Sequence, residues 1–514
     1  MLSVTGLALA FATSPLHPPL LSSRASFSRL PRSVTACDNT ENSSDDAKRT
    51  VNTHFFAIAL PALAQFAAEP IAGLVDTAYL GRLGASALGG AGVAISAHYA
   101  TAKLFNDPLL RTSISIVASG DGAARSSESG AEARTQAISA ALVLALAVGL
   151  LQTIFFLLCA PAMVSAMGAP IGSSMRPVAV SYLRVRSLGM PTATMWLVSN
   201  GIFRGLGDTR TPLAWALLFS ALNAILDPIF IFTFGLGAAG AAAGTALSQS
   251  VALVGLLRVL EKRTGVRVTP LKWLSPASLR ELAPALLAYG RAGVLVFFRT
   301  WGKVIAYTYC SRAAAGLGAV ASAAHLLCFN LGVVLSQLCE SIAVATQTLL
   351  ARAMGTLLAA SARGEAPDAQ VRADSRRDAW HVIRLGSAVG AVIAGSLTAL
   401  TALRPARVIA SLTTDIAVRE ACGSIVVPVL ACQLFKGLAF PSNGVVMGGL
   451  DWEFATFGVW AGSALCIVLV HARSPPTLLT IWIGLSAFMA SQTLFSALRV
   501  ASRKGPWAML FERD

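Results

Sequence analysis

The sequence predicts an all-α integral membrane protein: twelve transmembrane helices in two pseudo-symmetric six-helix lobes. Three observations carry this. First, 55% of the 514 residues are hydrophobic and only 13% are charged, with mean hydropathy +0.66, which is not a soluble composition. Second, apolar runs of about 20 residues, the length that crosses a bilayer, recur almost to the C-terminus. Third, the two halves echo each other. GIFRGLGD (Gly201 to Asp208) returns 243 residues later as GVVMGGLD (Gly444 to Asp451). AYLGRLGASALGG (Ala78 to Gly90) resembles YCSRAAAGLGAVASAA, the RLG and GLG cores lying about 234 residues apart. An even number of spans between repeats keeps their orientation, so the halves are expected to be parallel repeats about an axis along the membrane normal.

Residues 1–50 stand apart. They are rich in Ser, Pro and Arg, with no acid before Asp38, the composition of a transit peptide. Val34-Thr35-Ala36-Cys37 resembles a plastid processing site, and the acidic patch from Asp38 to Asp46 is expected to be disordered. A chloroplast envelope is the expected location, with the plasma or vacuolar membrane as the alternative. Twelve spans follow at roughly 54–80, 88–117, 133–160, 177–203, 212–234, 239–260, 283–311, 319–351, 378–403, 420–446, 453–471 and 478–500. This divides the chain into a first lobe at 51–263, a basic linker at 264–281, a second lobe at 282–503 and a tail at 504–514.

The net charge of +15 does not indicate nucleic-acid binding. The basic residues gather between spans, as in RVLEKRTGVRV (Arg258 to Val268) and DSRRDAWHVIR (Asp374 to Arg384). There they set topology and meet anionic lipid, and their bias to alternate loops puts both termini on the cytoplasmic or stromal side. The eight cysteines are scattered and form no C-x-x-C, so neither a zinc site nor a disulfide framework is expected. No cofactor is expected beyond a coupling ion, H⁺ or Na⁺.

The first span organises the functional reading. It holds two acids, Glu69 and Asp76, and two prolines, Pro61 and Pro70. A carboxylate at membrane depth costs at least ~2.5 kcal/mol on insertion scales and is a functional candidate by default. Proline removes an intrahelical hydrogen bond, so a helix can bend there. In the fifth span Asn223 and Asp227 are four apart and share a face. Asn200 in the fourth span and Thr245 in the sixth add neutral oxygens. If these helices form one bundle, the group can share and release a proton, because two close carboxylates are not both ionised cheaply. The same oxygens could hold Na⁺, and Asn223 and Thr245 could equally be interhelical hydrogen-bond formers.

A second set is cationic: Lys103, Arg111, Arg299, Lys303 and Lys436 fall within or beside spans, with Asp107, Glu340 and Glu69 as expected partners. A second-half cavity with excess positive charge would suit an anionic substrate; interfacial snorkelling is the alternative. Gly205-Leu206-Gly207 lacks the third glycine of a dinucleotide fingerprint, and no phosphate-binding loop for ATP occurs.

These residues resemble the multidrug and toxic compound extrusion (MATE) family. The resemblance rests on PIAGLVDTAYLGRLGASALGG, GIFRGLGDTRTPL and NAILDPIFIFTFGLGAAGAAAGTALSQ and runs from about Phe55 to Leu498. VDTA and the N-x-x-x-D pair are similar to the DNA-damage-inducible (DinF-like) branch. KLFNDPLL (Lys103 to Leu110) and the leader resemble its plant and algal, chloroplast-type members. The resemblance implies a V-shaped pair of lobes alternating access against inward H⁺ or Na⁺. It implies Asp76 as the protonation site, Pro61 as the bending point, and Asn200, Asn223, Asp227 and Thr245 as the first-lobe polar network. It implies Glu340 as an acidic position shared with plant members. Ser311-Arg312-Ala313-Ala314 departs from Gly81-Arg82-Leu83-Gly84, which leaves the second-lobe contacts open.

The expected function is an antiporter exporting an organic anion, citrate or an aromatic carboxylate, in exchange for H⁺. The alternatives are an exporter of organic cations and drugs, or a flippase of a lipid-linked precursor. A membrane enzyme is not expected, since binding Mg²⁺-diphosphate would need clustered D-x-x-x-D motifs at a membrane face, and the close pair within a span, Asn223 and Asp227, is neutral plus acid. The expected partners are a small organic substrate and the bilayer, with no nucleic acid, and the chain is expected to be a monomer.

Overall fold

A helix in lipid satisfies its own backbone, and the described residues use almost nothing else. The computed structural model describes residues 40–511 except 125–127, 168, 267–274, 363–368 and 473–474. Most of the leader and the centre of the inter-lobe linker therefore lie outside the described residues. Ala47–Asp514 form a single packed unit.

The first six spans are α1 (Thr40–Gly81), α2 (Ala85–Ala124), α3 (Glu128–Ala166), the pair α4 (Met175–Leu188) and α5 (Met190–Gly205), α6 (Arg210–Pro228) and α7 (Gly237–Thr264). The second six are α8 (Pro276–Gly316), α9 (Ala319–Ala362), α10 (Ala369–Leu403), α13 (Val426–Gly448), α14 (Trp452–His471) and α15 (Leu478–Ala501). Two short helices, α11 (Pro405–Leu412) and α12 (Ile416–Ser424), lead into α13. Among the described residues ten helices are long and apolar enough to cross a membrane. The other two spans differ for physical reasons. α2 is long enough but carries His98, Lys103, Asp107 and Arg111 through its middle. The fourth span is broken at Gly189, whose backbone leaves helical geometry between α4 and α5. The fifth ends at Pro228 and continues as a π-helical turn, Ile229–Thr233. Large apolar side chains such as Leu151, Leu158, Val392, Val427 and Val468 point outward, where lipid covers them.

The duplication is built into the packing. Gly201 and Gly444 occupy matching places; a Cβ on Gly201 would stand 2.8 Å from the Leu110 carbonyl, and one on Gly444 2.5 Å from the Ala343 carbonyl. Gly205 and Gly448 repeat this one turn later against Ile114 and Gln347. Glycine thus lets α5 press onto α2 and α13 press onto α9, the small-residue contact that membrane helices use. Asp208 holds the start of α6 by accepting from the Arg210 and Thr211 amides at 3.0 Å, and pairs with Arg263 at the end of α7. Its counterpart Asp451 accepts from Arg499 at the end of α15, at 2.7 and 3.4 Å. Gly84 and Gly318 both take positive φ, +98° and +104°, in the matching first turns. At the second matching turn Gly207 has φ +76°, whereas Leu450 adopts φ +57° with a full side chain. The halves meet where α2 packs along α9 and α8 packs on α2 and α3.

Candidate functional site

Asp76 on α1 and Asp227 on α6 are brought together by one amide. The Asn223 Nδ2 donates to Asp76 Oδ1 at 2.7 Å and to Asp227 Oδ2 at 3.2 Å. The i, i+4 spacing puts both α6 residues on one face, and the two carboxyl groups lie within hydrogen-bonding reach of each other. Asp227 is fully buried and Asn223 nearly so, while Asp76 is half-buried at the edge. Gly244 of α7 closes over the pair: a Cβ there would stand 2.4 Å from Asp227 Oδ1. Asp227 Oδ1 and Asn223 Oδ1 are buried without a hydrogen-bond partner among the described residues, so the site has acceptor capacity for a proton or a small monovalent cation. Arg186 and Tyr182 of α4 face the pair, and Arg186 also donates to Gln249 at 3.2 Å. A cavity of about 300 Å³ opens beside Asp76 and Asn223, walled by Val75, Leu217, Ala221 and Ala224.

α1 and α6 exchange a second kind of support. Pro61 has no N–H, so the Ala57 carbonyl four residues back loses its helical donor. The Thr209 hydroxyl, at the start of α6, fills that gap, 3.3 Å from the Ala57 carbonyl and 2.8 Å from the Ile58 carbonyl. Pro228 likewise strips the Ala224 carbonyl, and the Tyr79 hydroxyl of α1 donates to it at 3.3 Å. Each helix therefore mends the other's proline.

The remaining first-half residues do not all join this pair. Asn200 belongs to a neighbouring run of hydrogen bonds: Gln65 donates to Asn200 at 2.6 Å and Arg204 donates to Gln65 at 2.9 Å. The Thr245 hydroxyl donates to the Ala241 carbonyl on its own helix at 2.9 Å. Glu69 and Pro70 lie on α1, but their side chains fall outside the described residues. α1 runs unbroken through both prolines.

The cationic residues divide differently from the expected second-half cavity. Arg111 donates to Asp107 at 3.0 Å on its own helix and reaches Glu340 of α9 at 2.9 Å, an ion pair across the two halves. Lys103 lies 3.5 Å from Asp107. Arg299 and Lys303 of α8 face this same group. Arg299 is 1% exposed and donates to Asn443 at 2.7 Å, while its Nε has no partner among the described residues. The charged centre thus sits where the halves meet. Lys436 stands apart, donating to the Gly332 carbonyl at 3.0 Å beside the Phe329 ring. Its unpaired-looking sequence context hid a backbone acceptor on another helix.

Repeat-related positions carry different chemistry on one framework. Asn200 and Asn443 correspond, as do Gln249 and Gln492, which accept from Arg186 and from Asn443 respectively. Gln65 corresponds to Arg299, and each reaches the matching asparagine. Asp76 and Asn223 correspond to Cys310 and Cys466, whose sulfurs touch at 3.6 Å. The carboxylate–amide pair therefore belongs to the first half alone.

Comparison with known proteins follows the same lines. Residues 61–229 match the MatE family model. Over 467 residues the chain is 32% identical to Protein DETOXIFICATION 44, chloroplastic, of Arabidopsis thaliana, covering 90% of this chain and 84% of that one. The chain belongs to the MATE family. Its backbone is similar to a MOP superfamily transporter from Pyrococcus furiosus (TM-score 0.71, 20% identity, 88% of this chain and 97% of that one). It is also similar to a MATE crystal structure in the bent conformation (TM-score 0.72, 20% identity, 89% and 97%). As a MATE member the chain is a multi-pass membrane transporter with the family's twelve-helix, two-lobe fold. Gln65, Tyr79, Thr209 and Asn443 escaped sequence reading, because a hydroxyl or amide in a span carries no signal until the group it serves is known; Arg186 was also missed, although a cation inside the fourth span is itself a signal.

Proposed function

We propose that this transporter is a proton-coupled antiporter exporting an organic anion across a chloroplast envelope. The observation that carries the coupling is the single Asn223 amide shared between Asp76 and Asp227. A proton on Asp76 removes the charge that holds the amide and attracts Arg186, and so loosens α1 from α6. α1 then bends at Pro61, and the first-half cavity closes. Proton and substrate need only favour opposite states of this element. The lobes, 51–263 and 282–503, would exchange access about α2 and α9.

The anion assignment rests on the charged centre between the halves. Lys103, Arg111, Arg299 and Lys303 outnumber Asp107 and Glu340 by two, and excess cations at membrane depth suit an anionic guest. Citrate or an aromatic carboxylate has the matching charge. The envelope location rests on the Ser- and Arg-rich leader and on the relative named as chloroplastic. A second reading, export of a lipophilic cation, is favoured by the apolar walls of the cavity beside Asp76.

The test is efflux from proteoliposomes loaded with labelled citrate, with pH and Na⁺ gradients imposed separately. Efflux driven by the pH gradient and lost in Asp76→Asn, with folding retained, supports the reading. Full proton-driven transport by Asp76→Asn would sink the coupling mechanism. Efflux of a fluorescent organic cation but not of citrate would transfer the assignment to the second reading.

A further inference from the structure

DSRRDAWHVIR has no part in the transport scheme, yet it forms one wall of a cavity of about 350 Å³. The cavity is lined by Lys48 of α1 and by Arg377, Trp380, His381 and Arg384 of α10. The four α10 residues fall at i, i+3, i+4 and i+7, so they form a single stripe over two turns. Among the described residues no carboxylate lines the cavity. Asp374 and Asp378 contact Arg377 at 3.0 and 4.0 Å from its own helix and take part of its charge. His381 Nε2 lies 2.8 Å from Asn52 Oδ1, which ties α10 to α1 below the cavity. The side chains come from both halves, since α1 opens the first six spans and α10 is the ninth. The cavity lies at the end of the molecule that the basic loops mark as cytoplasmic or stromal.

We propose that this cavity is a binding site for a phosphate-type oxyanion and that its occupant pins α1 to α10. Three cationic side chains and a histidine converging on one cavity suit a singly or doubly charged oxyanion, and arginine forks bind such oxygens in pairs. The indole of Trp380 at the same level is the side chain that settles at a membrane interface, so an anionic lipid headgroup is one source. A free phosphate is the other, and the cavity volume accommodates either. Because the occupant bridges the two halves, it favours whichever state keeps the starts of α1 and α10 together.

The test uses the full chain purified in detergent. Soluble short-chain phosphatidylglycerol, short-chain phosphatidylcholine and inorganic phosphate are titrated in turn, with binding read by calorimetry. The wild type is expected to bind phosphatidylglycerol saturably and phosphatidylcholine not at all. Removing two charges in Arg377→Gln/Arg384→Gln is expected to weaken this about thirtyfold. Arg291→Gln, an exposed arginine paired with Glu453 elsewhere, is expected to leave it unchanged. Competition by inorganic phosphate at similar concentration would support the site and make free phosphate its source; absence of competition would support it with lipid as the source. Equal binding of the two lipids by the wild type, or unchanged affinity in the double variant, would overturn the proposal. The lipid comparison needs no variant and decides the matter even if the double variant fails to fold.

Discussion

Replacing Thr209 by valine removes a hydroxyl and keeps the shape. The hydroxyl serves two carbonyls, those of Ala57 and Ile58. Their fates differ. The Ile58 carbonyl keeps the Ala62 amide as its helical donor, but the Ala57 carbonyl has none, because residue 61 is proline. The loss is therefore one orphaned carbonyl in a partly buried setting, about 1–3 kcal/mol. If the straight and bent forms of α1 differ at this point, that amounts to roughly a 5- to 150-fold change in their ratio. Pro61→Ala restores an amide to the Ala57 carbonyl, so Thr209→Val should cost much less in that background. A double-mutant cycle on thermal melting in detergent, with exchange rate in proteoliposomes as the second readout, should give a coupling of at least about 1 kcal/mol. Thr209→Ser, which retains the hydroxyl, should behave nearly as wild type. Costs that add within about 0.5 kcal/mol would refute the account, since independent sites behave that way.

The other predictions test the frame around this site. Arg111→Gln leaves Asp107 and Glu340 without their shared cation and should destabilise by about 3 kcal/mol, near the low end for a broken buried pair, whereas Glu340→Gln should cost less; differential melting of the two checks this. Gly444→Ala drives a Cβ to 2.5 Å from the Ala343 carbonyl and should cost about 1–3 kcal/mol, while Gly290→Ala, with open space around it, should stabilise α8 by about 0.5–1 kcal/mol. Leu450→Gly relieves a left-handed backbone that its repeat partner Gly207 already accommodates, and should raise the melting temperature by an amount on the order of 1 kcal/mol of stability.

Much of this was readable in one dimension. Nine of the twelve spans lie inside observed helices because a bilayer demands runs of about 20 apolar residues, and such runs are local; the fourth crosses Gly189, the fifth runs past α6 and its π-helical turn, and the tenth begins in α12 and crosses Ile425. The echo of GIFRGLGD in GVVMGGLD was readable because glycine there serves a close helix contact that both halves repeat. Asp76, Asn223 and Asp227 stood out because a polar side chain at membrane depth is costly wherever its partner lies. Three features of the spans were not readable: the breaks at Gly189 and at Ile425, where the hydropathy continues across the gap, and the confinement of Lys436 to a backbone carbonyl.

By itself, then, the sequence determined which segments cross the membrane, that they come in two related sets, and which side chains need a partner there. Only the tertiary structure decided who the partners are. It joined Asp76 to Asn223 across 147 positions and gave Thr209 the carbonyl that Pro61 had stripped. It also drew Arg299 and Lys303 to the junction of the halves, away from Lys436. The physical reason is that the cost of burying a polar group is a property of the residue and its span. The hydrogen bond that offsets it depends on how each helix is turned about its axis against a distant neighbour, and that rotation is set by packing.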